Sequence, residues 1–121
     1  MSNNSTIKAY FEANRRLLSE TRDFPLAIAQ TFLGVVLWGD EVDADGDPMT
    51  LEDLAVRVGF SATTVSQHLR YLGANYRPGK SGLGLIYTEE NPSNRRKKLA
   101  RLTNRGLGVV RQLELIFRKL G

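Results

Sequence analysis

Hydrophobic residues recur at helical spacing in three stretches of the chain, predicting helices over residues 5–21, 26–38 and 103–121. Asp23, a candidate N-cap, and Pro25 in the first turn mark the start of the second helix. This second stretch is apolar on nearly all sides, which is typical of a helix buried on more than one face, for instance inside a dimer. It is too short to span a bilayer.

Two shorter helices are predicted in the middle of the chain, joined by a tight turn. Thr50 followed by Asp53 is a capping-box pattern, and the helix that it opens is predicted to end at Gly59. After one phenylalanine, Ser61 caps the next helix. Two short helices separated by a glycine-containing turn are the arrangement of a helix-turn-helix.

The second helix of this pair has an apolar stripe and a polar face. At 100° per residue, Thr63, Gln67 and Arg70 point away from the apolar stripe. A threonine, an amide and a guanidinium are groups that read base edges in the major groove of DNA. Simple solvation is the alternative explanation of a polar helix face, and the helix-turn-helix pattern favours DNA reading. The predicted DNA-contacting residues of this helix are Ser61, Thr63, Thr64, Ser66, Gln67, Arg70 and Tyr71.

A glycine-rich loop and then a β-hairpin are predicted after the helix pair. Residues 73–84 contain several glycines and one proline, which is typical of a loop. Residues 85–89 and 98–102 partly alternate between apolar and polar side chains and predict two short strands, with a turn at 91–94. Four consecutive cations, residues 95–98, begin the returning arm, where a β-wing beside a helix-turn-helix would follow the DNA backbone.

The charge of the chain is unevenly distributed. The net charge is only +4, yet residues 23–60 carry a formal charge of −7 and residues 61–121 carry +9. A basic half of this kind points to an anionic partner, nucleic acid first and a membrane surface second. The start of the sequence lacks the pattern of a signal peptide and no long apolar run occurs, so we expect a cytoplasmic protein without a membrane span. The absence of cysteine excludes disulfides and thiolate metal sites.

The sequence over about residues 50–106 resembles the MarR family of bacterial winged-helix transcription regulators. The segments that carry the resemblance are LEDLAVRVGFSATTVSQHLRYL and GLIYTEENPSNRRKKLARLTNRG, and Asn-Pro-x-x-Arg-Arg followed by Leu-Thr-x-x-Gly is its most specific part. The resemblance implies a homodimer on a pseudo-palindromic DNA operator, with residues 61–71 as the recognition helix. It also implies that Arg96 is the wing-tip arginine and that Arg95, Lys97 and Lys98 contact phosphates.

The resemblance and the predicted elements together give a mainly α fold with a small β-hairpin. We expect a single winged-helix domain over residues 1–121, with N-terminal helices in 1–39 and a C-terminal helix in 103–121 flanking the helix-turn-helix and wing in 50–102. The flanking helices would form the dimer interface. Its predicted residues are Ile7, Phe11, Leu18, Val110, Leu113, Phe117 and Leu120.

Three departures from the family pattern matter for function. Asn94 stands where the family usually has an aspartate that holds the wing arginine. The connection between the recognition helix and the wing is longer than usual and carries Arg77 and Lys80, which are predicted to contact further phosphates. The family's additional C-terminal helix has no counterpart before Gly121, so we expect an interface that is smaller or built differently.

Four weaker motifs are explained more simply by ordinary structure than by a metal, nucleotide or catalytic site. Residues 64–69 also resemble ArsR-type repressors, but one histidine and no cysteine leave metal sensing of that kind without ligands. Residues 74–81 match a loose Walker A pattern in the wrong context, since a helix precedes them. Residues 41–52 are close to an EF-hand loop, although an acidic inter-helix loop is the default interpretation. His68 is predicted to be packed or to face a phosphate.

No arrangement of residues indicates catalysis, so we expect neither an enzyme nor a bound metal or cofactor. The predicted function is a sequence-specific regulator of transcription that binds double-stranded DNA as a homodimer, most simply as a repressor. A small-molecule effector is possible, but no residue identifies one. The alternative is a winged helix that contacts a protein, such as a polymerase or a replication complex, through the acidic surface of residues 40–53.

Overall fold

The computed structural model describes residues 4–42, 44–92 and 94–119, without the side chains of residues 94–97. Within these ranges the chain forms five helices and two small antiparallel hairpins. The helices are α1 (Ser5–Leu18), α2 (Leu26–Trp38), α3 (Leu51–Val58), α4 (Ala62–Leu72) and α5 (Asn104–Arg118). The strands are β1 (Asn75–Arg77), β2 (Lys80–Ser81), β3 (Ile86–Asn91) and β4 (Asn94–Leu102).

Local capping sets the bounds of the helix-turn-helix, α3 and α4, where they were predicted. The Asp53 backbone N–H donates to the Thr50 hydroxyl at 3.3 Å, and the Asp53 carboxylate accepts from the Thr50 backbone N–H at 3.1 Å. Gly59 ends α3 with a φ of +84°, a left-handed conformation that favours glycine. The Ser61 hydroxyl accepts the backbone N–H of Thr64 at 3.1 Å and starts α4.

One hydrophobic core joins the helix-turn-helix to the flanking helices. Phe32 of α2, Val65 and Leu72 of α4 and Val109 of α5 all have no solvent exposure. Leu85, which leads into β3, closes the same cluster below the wing. The core therefore holds α4 by its apolar stripe and leaves the opposite face of that helix free.

The bounds of the N-terminal helices differ from the prediction in two respects. Helix α1 ends at Leu18, and α2 has Pro25 as its N-cap residue, so Asp23 does not cap it. Helix α2 is buried on more than one side, as predicted, since Ala29, Thr31 and Val35 point in different directions around the helix and are all buried. Only one apolar stripe is left uncovered by the described residues, and Leu26 and Leu37 in this stripe are 73% and 63% exposed.

The glycine-rich connection after α4 was predicted to be a loop. It forms a second hairpin, β1–β2, instead. Asn75 pairs with Ser81 and Arg77 with Lys80. Pro78 and Gly79 form the turn between the strands, and Gly79 has a φ of +76°. Proline followed by a glycine with positive φ is the signature of a type II turn.

Backbone hydrogen bonds attach the base of this hairpin to the end of α4. The Leu83 N–H donates to the Tyr71 carbonyl at 2.8 Å, and the Gly84 N–H donates to the Gly73 carbonyl at 3.0 Å. The approach is so close that a Cβ added at Gly82 would lie 2.1 Å from the Gly73 carbonyl oxygen. Glycine at position 82 is therefore what allows the returning strand to lie against the helix.

The wing, β3–β4, is longer than predicted and is tied to α2 at its base. Arg101 of β4 forms ion pairs with Glu89 of β3 at 3.3 Å and with Asp40, which follows α2, at 3.4 Å. The Arg101 guanidinium also donates to the Gly39 carbonyl. Helix α5 starts at its predicted cap, where the Thr103 hydroxyl accepts the N–H of the third residue of the helix. None of the described helices has the length and apolar character needed to cross a membrane.

Candidate nucleic-acid interface

Helix α4 presents the predicted recognition residues on the face opposite the core. Thr63, Gln67 and Arg70 are exposed, while Val65 and Leu69 are buried. The spacing of three and four residues places the exposed side chains in one row along the helix. This row offers a hydroxyl, an amide and a guanidinium to whatever approaches α4.

The hydroxyls at the start of α4 already have partners within the protein. Ser61 accepts the Thr64 backbone N–H as the helix cap and donates to the Thr64 hydroxyl at 3.0 Å. Ser66 is half-buried beside the wing. These three residues stay predicted DNA contacts, but capping accounts for Ser61 and Thr64 without DNA.

Tyr71 is held by two other parts of the chain. Its hydroxyl is hydrogen-bonded to the Thr21 hydroxyl at 3.1 Å, in the connection between α1 and α2. Its ring meets the ring of Tyr76 edge-on, with 5.1 Å between centroids and an interplanar angle of 88°. Tyr71 therefore anchors the β1–β2 hairpin to α4, a role that its outward position on the helix did not indicate.

His68 is packed between α4 and α2, which is one of the two alternatives that the sequence left open. Its Nδ1 is hydrogen-bonded to the hydroxyl of the fully buried Thr31 at 2.8 Å. Its ring contacts Phe60 edge-on, with 5.4 Å between centroids. Burial lowers the pKa of His68 below its ordinary value of 6.5.

Acidification is expected to destabilise the fold through His68, because the folded state disfavours the charged imidazole. The stabilising effect of the neutral ring is fully present above pH 6.5 and is lost as the pH falls through the lowered pKa. The free energy of unfolding, measured by urea denaturation between pH 7.5 and 5.5, should therefore fall with pH. Since His68 is the only histidine, the variant His68→Gln should show a flatter dependence over this interval. Equal pH dependence of the two proteins would contradict the assignment.

The wing lies on one side of Arg70. A cleft between α4 and the wing is lined by Ser66 and Arg70 on the helix and by Thr88 and Lys98 on the wing. Lys98 is exposed and pairs in register with Glu90 of β3. The backbone of the other predicted wing contacts belongs to β4, whereas their side chains lie outside the described part of the chain. These residues are Arg95, Arg96 and Lys97.

The β1–β2 hairpin lies on the other side of Arg70. A second cleft, of about 290 Å³, is lined by Gln67, His68, Arg70 and Tyr71 from α4, by Tyr76 and Arg77 from the hairpin and by Ile28. We call it the hairpin cleft. Arg77 and Lys80 are both exposed on this hairpin. Helix α4 is thus flanked by two β-hairpins that both carry cations, and Arg70 lies between them.

The predicted dimer residues fall into two groups. Ile7, Phe11 and Leu18 of α1 are 70%, 62% and 49% exposed, so their side chains face away from the core. Val110 and Leu113 of α5 instead pack partly against it. Phe117 is 39% exposed, and Leu120 lies outside the described residues.

An apolar groove runs between α1, α2 and α5 and adjoins the exposed residues of α1. It is lined mainly by hydrophobic side chains, including Tyr10, Leu33 and Phe117, one from each of the three helices. Glu20 fixes α1 beside α5 by accepting two hydrogen bonds from the Arg105 guanidinium at 3.2 and 3.3 Å. The groove and the exposed row of α1 form one continuous apolar surface, which we call the three-helix surface.

The Walker A-like and EF-hand-like segments form a hairpin and a bridged loop. Residues 74–81 form the β1–β2 hairpin, so no helix follows the loose Walker A pattern. In the acidic loop, Val42 and Pro48 form a β-bridge and Glu41 lies 4.0 Å from Arg57. Asp43 lies outside the described residues, and among those described no cluster of three or more acidic, histidine or cysteine side chains could hold a metal.

Three residues that no motif had indicated hold side chains of α4 in place: Thr21, Thr31 and Tyr76. The partners of Thr21 and Thr31 lie 50 and 37 residues away in the chain, so no local pattern reveals them. A signal for Tyr76 did exist, because Pro78-Gly79 between polar residues is a turn pattern that favours a hairpin.

The fold is similar to that of solved winged-helix proteins. The S. aureus MepR–DNA complex aligns with a TM-score of 0.69 and 20% sequence identity, covering 95% of this chain and 80% of MepR. S. aureus MepR bound to ethidium bromide aligns with a TM-score of 0.61 and 23% identity over 95% and 71% of the two chains. A MarR family transcription regulator aligns with a TM-score of 0.60 and 20% identity over 90% of this chain and 61% of its own. No family model matches the sequence, and no curated protein matches it either. The structural similarity establishes a MarR-like winged-helix fold.

Proposed function

We propose that this protein is a transcription regulator that binds a specific double-stranded DNA sequence as a homodimer and represses by occluding a promoter. The observation that carries the proposal is the exposed row of Thr63, Gln67 and Arg70 on α4, which the core holds from behind. Glutamine can make two hydrogen bonds to adenine and arginine two to guanine, so the row has the chemistry of major-groove reading. The similarity to the MepR–DNA complex supports the same use of the fold.

The three-helix surface is the part of the molecule best suited to hold a second copy. Ile7 and Phe11 are more than half exposed there, and the adjoining groove is almost entirely apolar. An extended apolar surface on a small domain is costly in water and is typical of an interface. In the proposed dimer this surface is buried and the two α4 helices face the same side of the DNA. A small-molecule effector stays a prediction of its own, since the lining of the described pockets does not identify its chemistry.

Selection of bound duplexes from a random pool tests this function directly. A homodimer should enrich a pseudo-palindrome whose half-site centres lie about 10–10.5 base pairs apart, because two recognition helices must enter successive major grooves on one side of the DNA. Enrichment of a single half-site would contradict the dimer. Absence of any salt-dependent DNA binding would overturn the proposal and favour a protein partner for the acidic side of the molecule.

Replacing Arg70 with alanine is expected to relax the choice of base at one position in each half-site. Loss of a bidentate contact should reduce discrimination there by about 1–3 kcal/mol. The measurement is a competition between the selected operator and its single-base variants. Lys98→Ala is the matched control, because an exposed wing cation should weaken binding to every duplex alike. If Arg70→Ala discriminated as well as the wild type, the assignment of the recognition face would be wrong.

A further inference from the structure

The β1–β2 hairpin is built onto the recognition helix rather than standing free of it. The residues that follow the hairpin are hydrogen-bonded to the last carbonyls of α4. The Leu83 N–H donates to the Tyr71 carbonyl and the Leu85 N–H donates to the Leu72 carbonyl, each at 2.8 Å. The outer part of the hairpin is held by the edge-on contact between Tyr71 and Tyr76, which are 5.1 Å apart at their centroids. The hairpin therefore moves with α4 and cannot approach a target independently of it.

The cation on its first strand is also ordered before any ligand arrives. The Arg77 guanidinium lies 4.7 Å from the centroid of the Tyr76 ring and donates a hydrogen bond to the Tyr76 hydroxyl at 3.0 Å. A guanidinium stacked on an aromatic ring loses less side-chain entropy on binding than a free one. Tyr76 thus connects Arg77 to Tyr71 and so to the helix.

The charges of this hairpin are not neutralised by the part of the chain that the structure describes. Some arginines of the described residues pair with carboxylates, as Arg101 does with Glu89 and Asp40 and Arg105 does with Glu20. Arg77 and Lys80 have no carboxylate within 4.0 Å among the described residues, and both are exposed. Two uncompensated cations beside α4, of which Arg77 is held in place by Tyr76, match an anionic partner at that helix.

We propose that the β1–β2 hairpin is a second DNA-backbone arm, with Arg77 and Lys80 each contacting a phosphate on the side of α4 opposite the wing. The inference rests on the proposed function and adds to it the role of the hairpin cleft, which would receive the sugar–phosphate backbone at the edge of the major groove. Phosphates, rather than bases, are the partners because Arg77 is held against Tyr76 and the strands of the hairpin are only three and two residues long. Such contacts strengthen binding without choosing a sequence.

The test is the salt dependence of DNA binding by the double variant R77A/K80A. Each phosphate contact contributes about 0.9 to the slope of log K against log salt, so the slope should become shallower by about 1.8. Affinity should fall by the same factor for the selected operator and for random duplex. The matched control K8A/K119A removes the same charge from the cleft between the ends of α1 and α5 and should leave the slope unchanged. The variant R77Q/K80Q, which keeps longer polar side chains, should behave like R77A/K80A.

The outcomes separate this inference from the function on which it rests. A wild-type protein that binds its operator, together with an unchanged slope in both hairpin variants, would overturn the second arm and leave the proposed function in place. Altered preference among operator variants would also overturn it, because it would show base contacts. A wild-type protein without salt-dependent DNA binding would instead overturn the proposed function. The variant Y76A, which keeps both cations but removes the support of Arg77, should weaken binding with a slope close to that of the wild type.

Discussion

Replacing Phe11 with aspartate is expected to convert the proposed homodimer into monomers and to weaken binding to an operator with two half-sites by about 10²–10⁴-fold. Phe11 is 62% exposed in the centre of α1, on the three-helix surface. A carboxylate at this position would have to be buried without a partner when two copies meet, which costs far more than the lost apolar contact. Binding to a single half-site should change little, because Phe11 lines neither of the two clefts beside α4.

Light scattering on the free protein and binding to duplexes with one or two half-sites measure these effects. Val56→Asp is the matched control, since Val56 is an apolar residue of α3 that is 82% exposed and lies outside the three-helix surface. Its substitution should leave the oligomeric state unchanged. A Phe11→Asp protein that is still dimeric would place the interface elsewhere. A monomer that kept full affinity for the double site would separate DNA binding from dimerisation altogether.

Replacing Phe32 with alanine is expected to lower the free energy of unfolding by about 3–5 kcal/mol. Phe32 of α2 has no solvent exposure and belongs to the cluster that contains Leu54, Val65 and Leu72 of the helix-turn-helix. Its ring therefore joins the flanking helices, which carry the proposed dimer surface, to the helix-turn-helix. Truncation removes the transfer energy of the ring and also leaves a cavity, since the surrounding helices relax only in part.

Urea denaturation at one fixed protein concentration measures the loss, because the stability of a dimer depends on concentration. The control Val56→Ala shortens an apolar side chain of α3 at a position that is 82% exposed and outside the three-helix surface. It should change the free energy of unfolding by no more than about 0.5 kcal/mol. Similar losses for Phe32→Ala and Val56→Ala would show that the core is not centred on Phe32.

The sequence predicted the helix-turn-helix well because its signals are local. Thr50 with Asp53, Gly59 and Ser61 act within one helical turn of their own positions, so their residue types reveal what they do. The same holds for Thr103, which caps α5. Helix periodicity alone also placed Thr63, Gln67 and Arg70 on the outer face of α4.

Features that depend on distant partners could not be predicted. The orientation of Tyr71 is set by Thr21, and that of His68 is set by Thr31, at separations of 50 and 37 residues. The β1–β2 hairpin was taken for a loop because its glycines weaken any strand pattern, while the hydrogen bonds that hold it run to carbonyls at the end of α4. The apolar sequence of α2 correctly predicted burial on more than one side, but it does not reveal which stripe of the helix is left uncovered by its own chain.

The β1–β2 hairpin is an insertion whose two ends lie next to each other. The chain leaves the body of the protein at Ala74 and returns at Gly82, and the N–H of Gly82 donates to the carbonyl of Ala74 at 3.0 Å. The part of the hairpin beyond Tyr76 projects from this closed junction, so its length and charge can vary without disturbing the core. If the hairpin is the DNA-backbone arm proposed above, a protein of this build can gain, lose or exchange such an arm through insertions at a single site, while α4 stays the same.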